Sequence, residues 1–432
     1  MTEAAGVRGD ACRSIMPGSI LDTSKKGSQM MVTASPRERP PVGLSTLLIA
    51  YAGFVLLGLP DGMLGVAWPS MRRTFGMPLD ALGVLLIASM IGFLFFSSGS
   101  GRLAVRLGVG RMLLLSSGLR ALGLLGFAFA PAWWLLVLSG FAIGLGAGAI
   151  DAGLNTYVAT HYSAGRLNWL HACFGLGATL GPMLMTTTLN LAQSWQWAYV
   201  VAGLAQLALT AIFALTLSRW RVAPVIGGEG GPESARTALR ATLRLPALWF
   251  GIALFFLYTG IEVTAGQWPY SLFTEGRAVP EGIAGAWVSL YWGGLTAGRV
   301  VAGVIVDRIG TQRLLRLSMA GTLVGALLIM TNAGSVLNAI GMALTGFSLA
   351  AIFPSLISLT PARVGQAHAA NAIGLQVSAA GLGVAALPGL AGVLADGLGL
   401  EIIGPFLLGA AMVQWGLYEL SARYIPAAPR SV

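Results

Sequence analysis

Of the 432 residues, 56% are hydrophobic and 10% are charged, and the mean hydropathy is +0.77. A water-soluble domain carries about 25% charged residues, so this chain has too few to clothe a soluble surface, and the solvent around most of it is lipid. The formal net charge of +10 is spread over short loops between apolar runs, which excludes a nucleic-acid footprint. Cys12 and Cys173 make neither a disulfide framework nor a zinc site, and His161, His171 and His368 are too scattered for a metal cluster, so no cofactor or metal is expected.

In chain order, residues 1–42 are polar, end in Pro36, Pro40 and Pro41, and lack the apolar core of a secretory signal. They read as a disordered cytoplasmic tail, with Met30 or Met31 as an alternative start. Apolar runs follow near 44–68, 81–101, 112–130, 132–158, 168–191 and 197–218. A polar stretch, 219–245, interrupts them as a cytoplasmic linker. A second set lies near 246–270, 283–306, 314–332, 335–358, 367–394 and 402–422, before a short tail at 425–432. A bilayer core needs about 20 residues of helix, and runs this continuous are helices rather than barrel strands. The expected fold is an all-α membrane protein of twelve transmembrane helices in two six-helix bundles, 43–218 and 246–424.

An even number of spans puts both termini on one side. Twenty-one of the Lys and Arg residues fall in the tails, the central linker and the turns after even-numbered spans, including Arg102, Arg106, Arg111, Arg308, Arg313 and Arg316. The other face has Arg72, Arg73 and Arg277. Basic loops stay in the cytoplasm, so both termini and the linker are expected there. Only Lys25 and Lys26 are lysines, a codon bias that suggests a GC-rich bacterium and hence its inner membrane.

The two sets repeat. Gly101-Arg-Leu-Ala-Val-Arg-Leu-Gly-Val-Gly-Arg111 aligns with Gly303-Val-Ile-Val-Asp-Arg-Ile-Gly-Thr-Gln-Arg313. Gly175-Leu-Gly177 before Pro182 aligns with Gly381-Leu-Gly383 before Pro388. Trp68-Pro69 closes the first span and Trp268-Pro269 the seventh. Three matches in one order imply two like bundles with a site between them, a transporter architecture.

These residues resemble the major facilitator superfamily over nearly the whole chain after residue 42. Its inner-loop motif reads close to Gly-x-Leu-Ala-Asp-Arg-x-Gly-x-Arg-Arg. Gly101, Leu103, Ala104, Arg106, Gly108 and Arg111 fit it, as do Gly303, Asp307, Arg308, Gly310 and Arg313. The first copy departs at Val105, where the family has an acid thought to brace the outward-open state. Narrower features are similar to the fucose–proton symporter-like branch. They are Asp61-Gly in span 1, Asp151 and Asn155 in span 4, Asn168, His171 and Phe174-Gly in span 5, and Glu262 before Gly266 and Trp268. The resemblance implies a proton-coupled sugar carrier with Asp61 and Asp151 at the branch's functional acids.

A charge inside a span costs roughly 2.5–3.5 kcal/mol on insertion scales, so it needs a reason to be there. Asp61, Asp151 and Glu262 are the acids deep in spans, and Arg120 and Arg299 the bases. In the superfamily, spans 1, 4, 7 and 10 line the central cavity, so the three acids are proton-coupling candidates. The competing reading is a helix–helix hydrogen bond or an ion pair with Arg120 or Arg299. Asp151 and Asn155, four apart, share a helix face on which both can meet a sugar hydroxyl. Their second-half counterparts are Phe353 and Ile357, so the expected site is polar on the first wall and apolar on the other.

Asn168, His171 and Gln376 are further substrate-binding candidates, and a histidine can relay protons. For His171, a hydrogen bond between helices explains the residue equally well. Trp268, Tyr291 and Trp292 are candidates to stack on a ring, joined by Tyr258 and Phe353, although aromatics in spans more often anchor or pack. The inner-loop residues Gly101, Arg102, Arg106, Arg111, Gly303, Asp307, Arg308 and Arg313 are assigned to gating. The glycine-rich run from Gly140 to Gly153 reads as close helix packing, since no strand precedes it and no Gly-Lys-Ser follows.

The expected function is secondary transport of a small polar solute, such as a sugar, by alternating access with proton symport, not an enzyme. The expected partners are that solute, protons and the bilayer, with no nucleic acid and a monomeric chain. The rivals are a proton-driven exporter of amphipathic compounds and a non-transporting sensor or scaffold.

Overall fold

The computed structural model describes residues 43–220, 239–332 and 334–424. The expected tails and residues 221–238 of the expected linker lie outside the described residues, as do the side chains at 97–102, 104, 105 and 164. Twelve long helices carry the fold, and no strand occurs among the described residues. The first six are α1 Leu44–Phe75, α2 Ala81–Leu107, α3 Val109–Phe129, α4 Trp133–His161, α5 Ala164–Ala192 and α6 Gln196–Leu215. The second six are α7 Pro246–Gly276, α8 Glu281–Ile309, α9 Thr311–Thr331, α10 Ser335–Val364, α11 Gln366–Leu398 and α12 Leu400–Tyr424. Eleven are long and apolar enough to cross a membrane among the described residues, and α2 contributes the apolar run Ala81–Phe96.

Residue chemistry sets several boundaries. The turn from α2 to α3 and the turn from α8 to α9 each pass through one glycine, Gly108 at φ 78° and Gly310 at φ 80°. With ψ near 150° these conformations are closed to residues with a Cβ. The repeated motif therefore keeps its glycine for a backbone reason. The Trp-Pro pairs behave differently in the two halves. The helix α1 runs through Pro69 to Phe75 and stops at Gly76, which is left-handed at φ 64°. In α7 the helical ladder lapses at Trp268, restarts at Pro269 and ends in a π-turn, Leu272–Gly276. Pro269 has no N–H to continue the ladder.

The packing repeats with the sequence. In the first bundle α1 packs on α5, α2 on α4, and α3 on α4 and α6. In the second, α7 packs on α11, α8 on α10, and α9 on α10 and α12. Small residues let the helices close. A Cβ on Gly144 of α4 would collide with the Ser89 carbonyl of α2, and one on Gly346 of α10 with the Tyr291 carbonyl of α8. In lipid, where apolar side chains gain nothing by leaving solvent, such close backbone approach supplies much of the helix–helix attraction.

Large apolar side chains cover the outside, among them Leu115, Leu122, Phe129, Trp134, Leu215, Trp249 and Val336, all more than half exposed. Such a surface is stable against acyl chains and not against water. The chain is a multi-pass membrane protein with its two bundles side by side.

The bundles meet along α5 with α8, α2 with α11, and α1 with α7. These contacts run from mid-span to the end away from Gly43 and Tyr424, here called the far end. On α8, Gly285 meets Thr186, Gly293 meets Thr179 and Thr296 meets Gly175 of α5. Two turns beyond Thr296, a Cβ on Gly303 would find nothing within 4 Å. On α11, Gly389 and Gly381 meet Gly83 and Leu94 of α2, while Gly374 finds nothing. Both seams are shut at the far end and part toward the end that carries the termini.

Candidate functional site

Where the seams part, mid-span charges face one another. Asp61 follows Pro60 in α1, and its neighbours Pro60, Gly62 and Met63 are buried while Asp61 itself is exposed. The helix around it is packed by α5, α6 and α7, so that exposure is to a crevice inside the molecule and not to the outer surface. The Asp61 carbonyl accepts from Gln267 Nε2 of α7 at 2.9 Å, tying the bundles just beyond the carboxylate.

Arg120 of α3 is fully buried and in electrostatic range of Asp61, but it makes no ion pair within 4 Å among the described residues. It donates instead to the Leu57 carbonyl of α1 at 2.8 Å and the Ile143 carbonyl of α4 at 3.3 Å. Its cation is used to hold three helices together, and Asp61 keeps its oxygens for other partners.

Asp151 and Asn155 share a face of α4, and Asn155 Nδ2 donates to Asp151 Oδ1 at 3.1 Å. Both are half-buried, and no cation lies within 4 Å of Asp151 among the described residues. Across the midline, Glu262 of α7 has a cation: Arg299 Nη2 of α8 stands 3.7 Å from Glu262 Oε1. This is a single long contact, and the two side chains keep 14% and 31% exposure. The pair is loose compared with a bidentate arginine–carboxylate fork. The Tyr258 hydroxyl lies buried against both members of the pair, and Tyr291 donates to the Glu262 carbonyl at 2.6 Å. Glu262 and Asp61 are within electrostatic range of one another, one from each bundle.

The remaining predicted residues divide. Asn168 and His171 of α5 are exposed, and His171 meets Phe54 of α1 edge-on at 5.6 Å between ring centres. Phe353 of α10 is half-buried and sits 5.1 Å from Phe255 and 5.8 Å from Tyr258, forming an aromatic wall beside Glu262. Gln376 is buried, accepts from Thr360 at 2.9 Å and fills the space over Gly251, so it joins α7, α10 and α11. Trp268 is fully buried and donates to the Pro388 carbonyl at 2.9 Å. Tyr291 and Trp292 are buried as well, Trp292 against Gly266. The structure thus gathers Asp61, Glu262, Arg299 and His171 near the midline and places Gln376, Trp268 and Trp292 in helix contacts.

Arg106, Arg111, Asp307, Arg308 and Arg313 are exposed at the end with the termini, and none makes an ion pair among the described residues. Gly101 and Arg102 lie in α2, their side chains outside the described residues.

Sequence reasoning missed a cross-bundle lock at the far end. Glu275 of α7 receives Arg72 of α1 at 2.8 Å and Arg73 at 3.3 Å, and Asp396 of α11 accepts from the Leu79 backbone before α2 at 3.2 Å. Partners two and three hundred residues apart leave no local pattern to find. A crevice with the carboxyls of Asp61 and Glu262, the Arg299 guanidinium and an aromatic wall offers both charged and stacking groups to a polar solute. It holds no activated nucleophile, and no group of metal-binding side chains occurs among the described residues.

Comparison with known proteins agrees with this fold. The family model of the Major Facilitator Superfamily matches residues 50–275 and 250–430. The glucose/mannose transporter GlcP of Bacillus subtilis is 25% identical over 327 residues, covering 73% of this chain and 79% of the relative. Among solved structures, the nucleoside transporter NupG superposes with a TM-score of 0.75 at 14% identity, covering 87% of this chain and 99% of that one. A D-xylose-proton symporter superposes with a TM-score of 0.67 at 16% identity, covering 86% and 97%. The chain is a transporter and not an enzyme, and by the match along nearly its whole length it belongs to the major facilitator superfamily.

Proposed function

We propose that this chain carries a small polar solute, a sugar in the first instance, by alternating access coupled to proton symport. The observation that carries the reading is Asp61: a carboxylate exposed in mid-span, at the base of a crevice, with no cation within 4 Å among the described residues. A charge there is tolerated when it faces water or partners and marks a pathway for ions or substrate. With no cation within 4 Å of either among the described residues, Asp61 and Asp151 are the carboxyls assigned to the proton. Glu262 joins them across the midline. Sugar as the solute is supported by GlcP, whose name gives it as a glucose/mannose transporter, and symport by the D-xylose-proton symporter.

In this reading the bundles 43–218 and 246–424 rock about the midline while 219–245 spans them. Both termini face the cytoplasm of a bacterial inner membrane, and the monomer is the working unit. The crevice then faces inward, and the exposed Asp307, Arg308 and Arg313 are the gate residues released in that state. Asn155, Asn168 and His171 are assigned to the solute, with Phe353 and Tyr258 against its ring. Protons and solute are coupled because each binds the two states unequally.

The aromatic wall of Phe255, Tyr258 and Phe353 favours a second reading, export of amphipathic compounds. The deciding experiment is uptake of labelled glucose and xylose into proteoliposomes under an imposed inward proton gradient. Accumulation that collapses with the gradient supports symport. Drug resistance in cells with no sugar uptake in vesicles supports the exporter.

A further inference from the structure

The far-end lock leaves a charge imbalance beside a cavity. Arg72 and Arg73 of α1 share one carboxylate, Glu275 of α7, so the cluster carries one positive charge in excess. Arg72 holds Glu275 Oε2 at 2.8 Å, while Arg73 reaches Oε1 only at 3.3 Å and keeps 57% of its side chain exposed. The surplus therefore sits on Arg73. Beside it, the ends of α1 and α7 and the turn into α8 enclose a cleft of about 210 Å³. The lining includes Pro69, Ser70 and Arg73 of α1, Tyr270 of α7, Pro280 of the turn and Glu281 of α8.

Glu281 supplies the opposite sign. It is exposed, and no cation lies within 4 Å of it among the described residues. A carboxylate in the first turn of a helix is favoured by the helix dipole, which accounts for the residue but not for its place in one cavity with an arginine. Tyr270 joins the two: it is 2% exposed, lines the cleft, and stands in electrostatic range of Arg73, Glu275 and Glu281, with no hydrogen bond to its hydroxyl among the described residues. The walls are stiff. The turn is closed by the Val279 N–H on the Phe273 carbonyl at 2.8 Å, and Ala278 is held at φ 52°. A left-handed residue with a Cβ stores strain, and such residues gather where a backbone is shaped around a ligand.

A molecule that fits this cleft carries both signs. An anion alone meets Glu281, a cation alone meets Arg73, and a neutral molecule displaces water from both charges without replacing it. The cleft has the volume of about seven liquid waters at about 30 Å³ each, which limits the guest to a few heavy atoms. We infer that the cleft binds a small zwitterion, a free α-amino acid with a short side chain, its carboxylate on Arg73 and the Tyr270 hydroxyl and its ammonium on Glu281. The site is separate from the crevice: Pro69 lies about 12 Å along α1 from Asp61 at 1.5 Å per residue. Its walls come from both bundles, so a bound zwitterion is a further tie between them. On the alternating-access reading above, it is an external brake, because it binds the state with α1 and α7 in contact better than one in which they have parted.

The test is calorimetric binding to the purified full chain in dodecyl maltoside, an uncharged detergent, with L-alanine as the probe and acetate and ethylamine as its single-charge halves. L-alanine is expected to bind saturably, and each half at least about tenfold more weakly. Arg73→Gln and Glu281→Gln, both at exposed positions, should each weaken L-alanine by about tenfold or more, the scale of a lost hydrogen bond to a charged group. Asp61→Asn should bind it as the parent does. No binding of L-alanine to the folded chain overturns the site, as does binding that survives both Arg73→Gln and Glu281→Gln or that Asp61→Asn removes. Either half binding as tightly as L-alanine overturns the ligand class. In proteoliposomes, L-alanine on the far side is expected to lower the maximal rate of glucose uptake with KM unchanged, and to do so far less in Glu281→Gln. A raised KM with an unchanged maximal rate places L-alanine in the crevice and overturns the brake. L-alanine bound by a chain that carries no sugar in vesicles would uphold the site while removing the symport reading, and sugar uptake without L-alanine binding would do the reverse.

Discussion

The two bundles hold the same architecture and opposite electrostatics. Each puts an acid in the middle of its first helix and an arginine two or fewer helices away. In the first bundle Arg120 spends its donors on the carbonyls of Leu57 and Ile143, and Asp61 is left exposed to the crevice. In the second, Arg299 turns to Glu262 at 3.7 Å. A guanidinium satisfied by backbone carbonyls is a structural tie and leaves its neighbouring acid available. A guanidinium standing beside a carboxylate, even loosely, offsets part of that acid's charge. The difference teaches that like helices need not carry like sites: the first bundle presents an acid with no cation within 4 Å among the described residues, and the second an acid beside an arginine and an aromatic wall.

The sharpest way to break this comparison is Asp61→Asn. It is expected to abolish gradient-driven accumulation, a loss of about 100-fold or more, while exchange of solute across equal pH persists; such losses are the scale of removing a proton-transfer group. Accumulation at the normal level would sink the first-bundle assignment. Glu262→Gln should lower accumulation far less.

Next in size is the shared architecture itself. Gly144→Val and Gly346→Val each drive a side chain into a facing carbonyl, of Ser89 and Tyr291 respectively. Each should cost about 3 kcal/mol or prevent folding, as overpacked cores do, read as a fall in Tm or loss of a monodisperse peak in detergent. A large effect in one half alone would deny the pseudo-symmetry of the packing.

A smaller effect separates the two arginines. Glu262→Gln leaves Arg299 without its acid, but both side chains are part-exposed, so the expected loss is about 1 kcal/mol, well below the 3–5 of a fully buried pair. Arg120→Gln removes two donors to backbone carbonyls of other helices in a fully buried site and should cost more, about 2–3 kcal/mol. Thermal unfolding of the two variants ranks them, and the reverse order would show that Arg299 is the structural tie.

The smallest expected change is at the far-end lock. Arg72→Gln leaves Arg73 on Glu275, so the shift toward far-end opening should be about two- to threefold and should shrink at high salt, since part-exposed pairs are weak and screened. Distances between spin labels across the α1–α7 mouth in low and high salt measure it.

Much of the architecture is legible in the residues because lipid enforces it. A span must be a long apolar helix, so twelve runs and their order can be read without any contact. The glycines at 108 and 310 stand out because a positive φ excludes other residues. The acids on α1, α4 and α7 stand out because a charge inside an apolar run is costly. Ends were less legible: α1 continues past the expected close at Trp68-Pro69 to Phe75, since Gly76 and not Pro69 stops it.

What tertiary structure alone decided is partnership. The sequence offers Arg120 and Arg299 equally as ion-pair partners, and only packing aims one at carbonyls and the other at Glu262. The Glu275 lock with Arg72 and Arg73 and the buried ties of Gln376 and Trp268 likewise have no pattern along the chain. Hydropathy and backbone conformation are properties of neighbours in sequence. Hydrogen bonds and ion pairs between helices depend on a few ångströms of distance and a direction, which exist only once the two bundles have closed on one another.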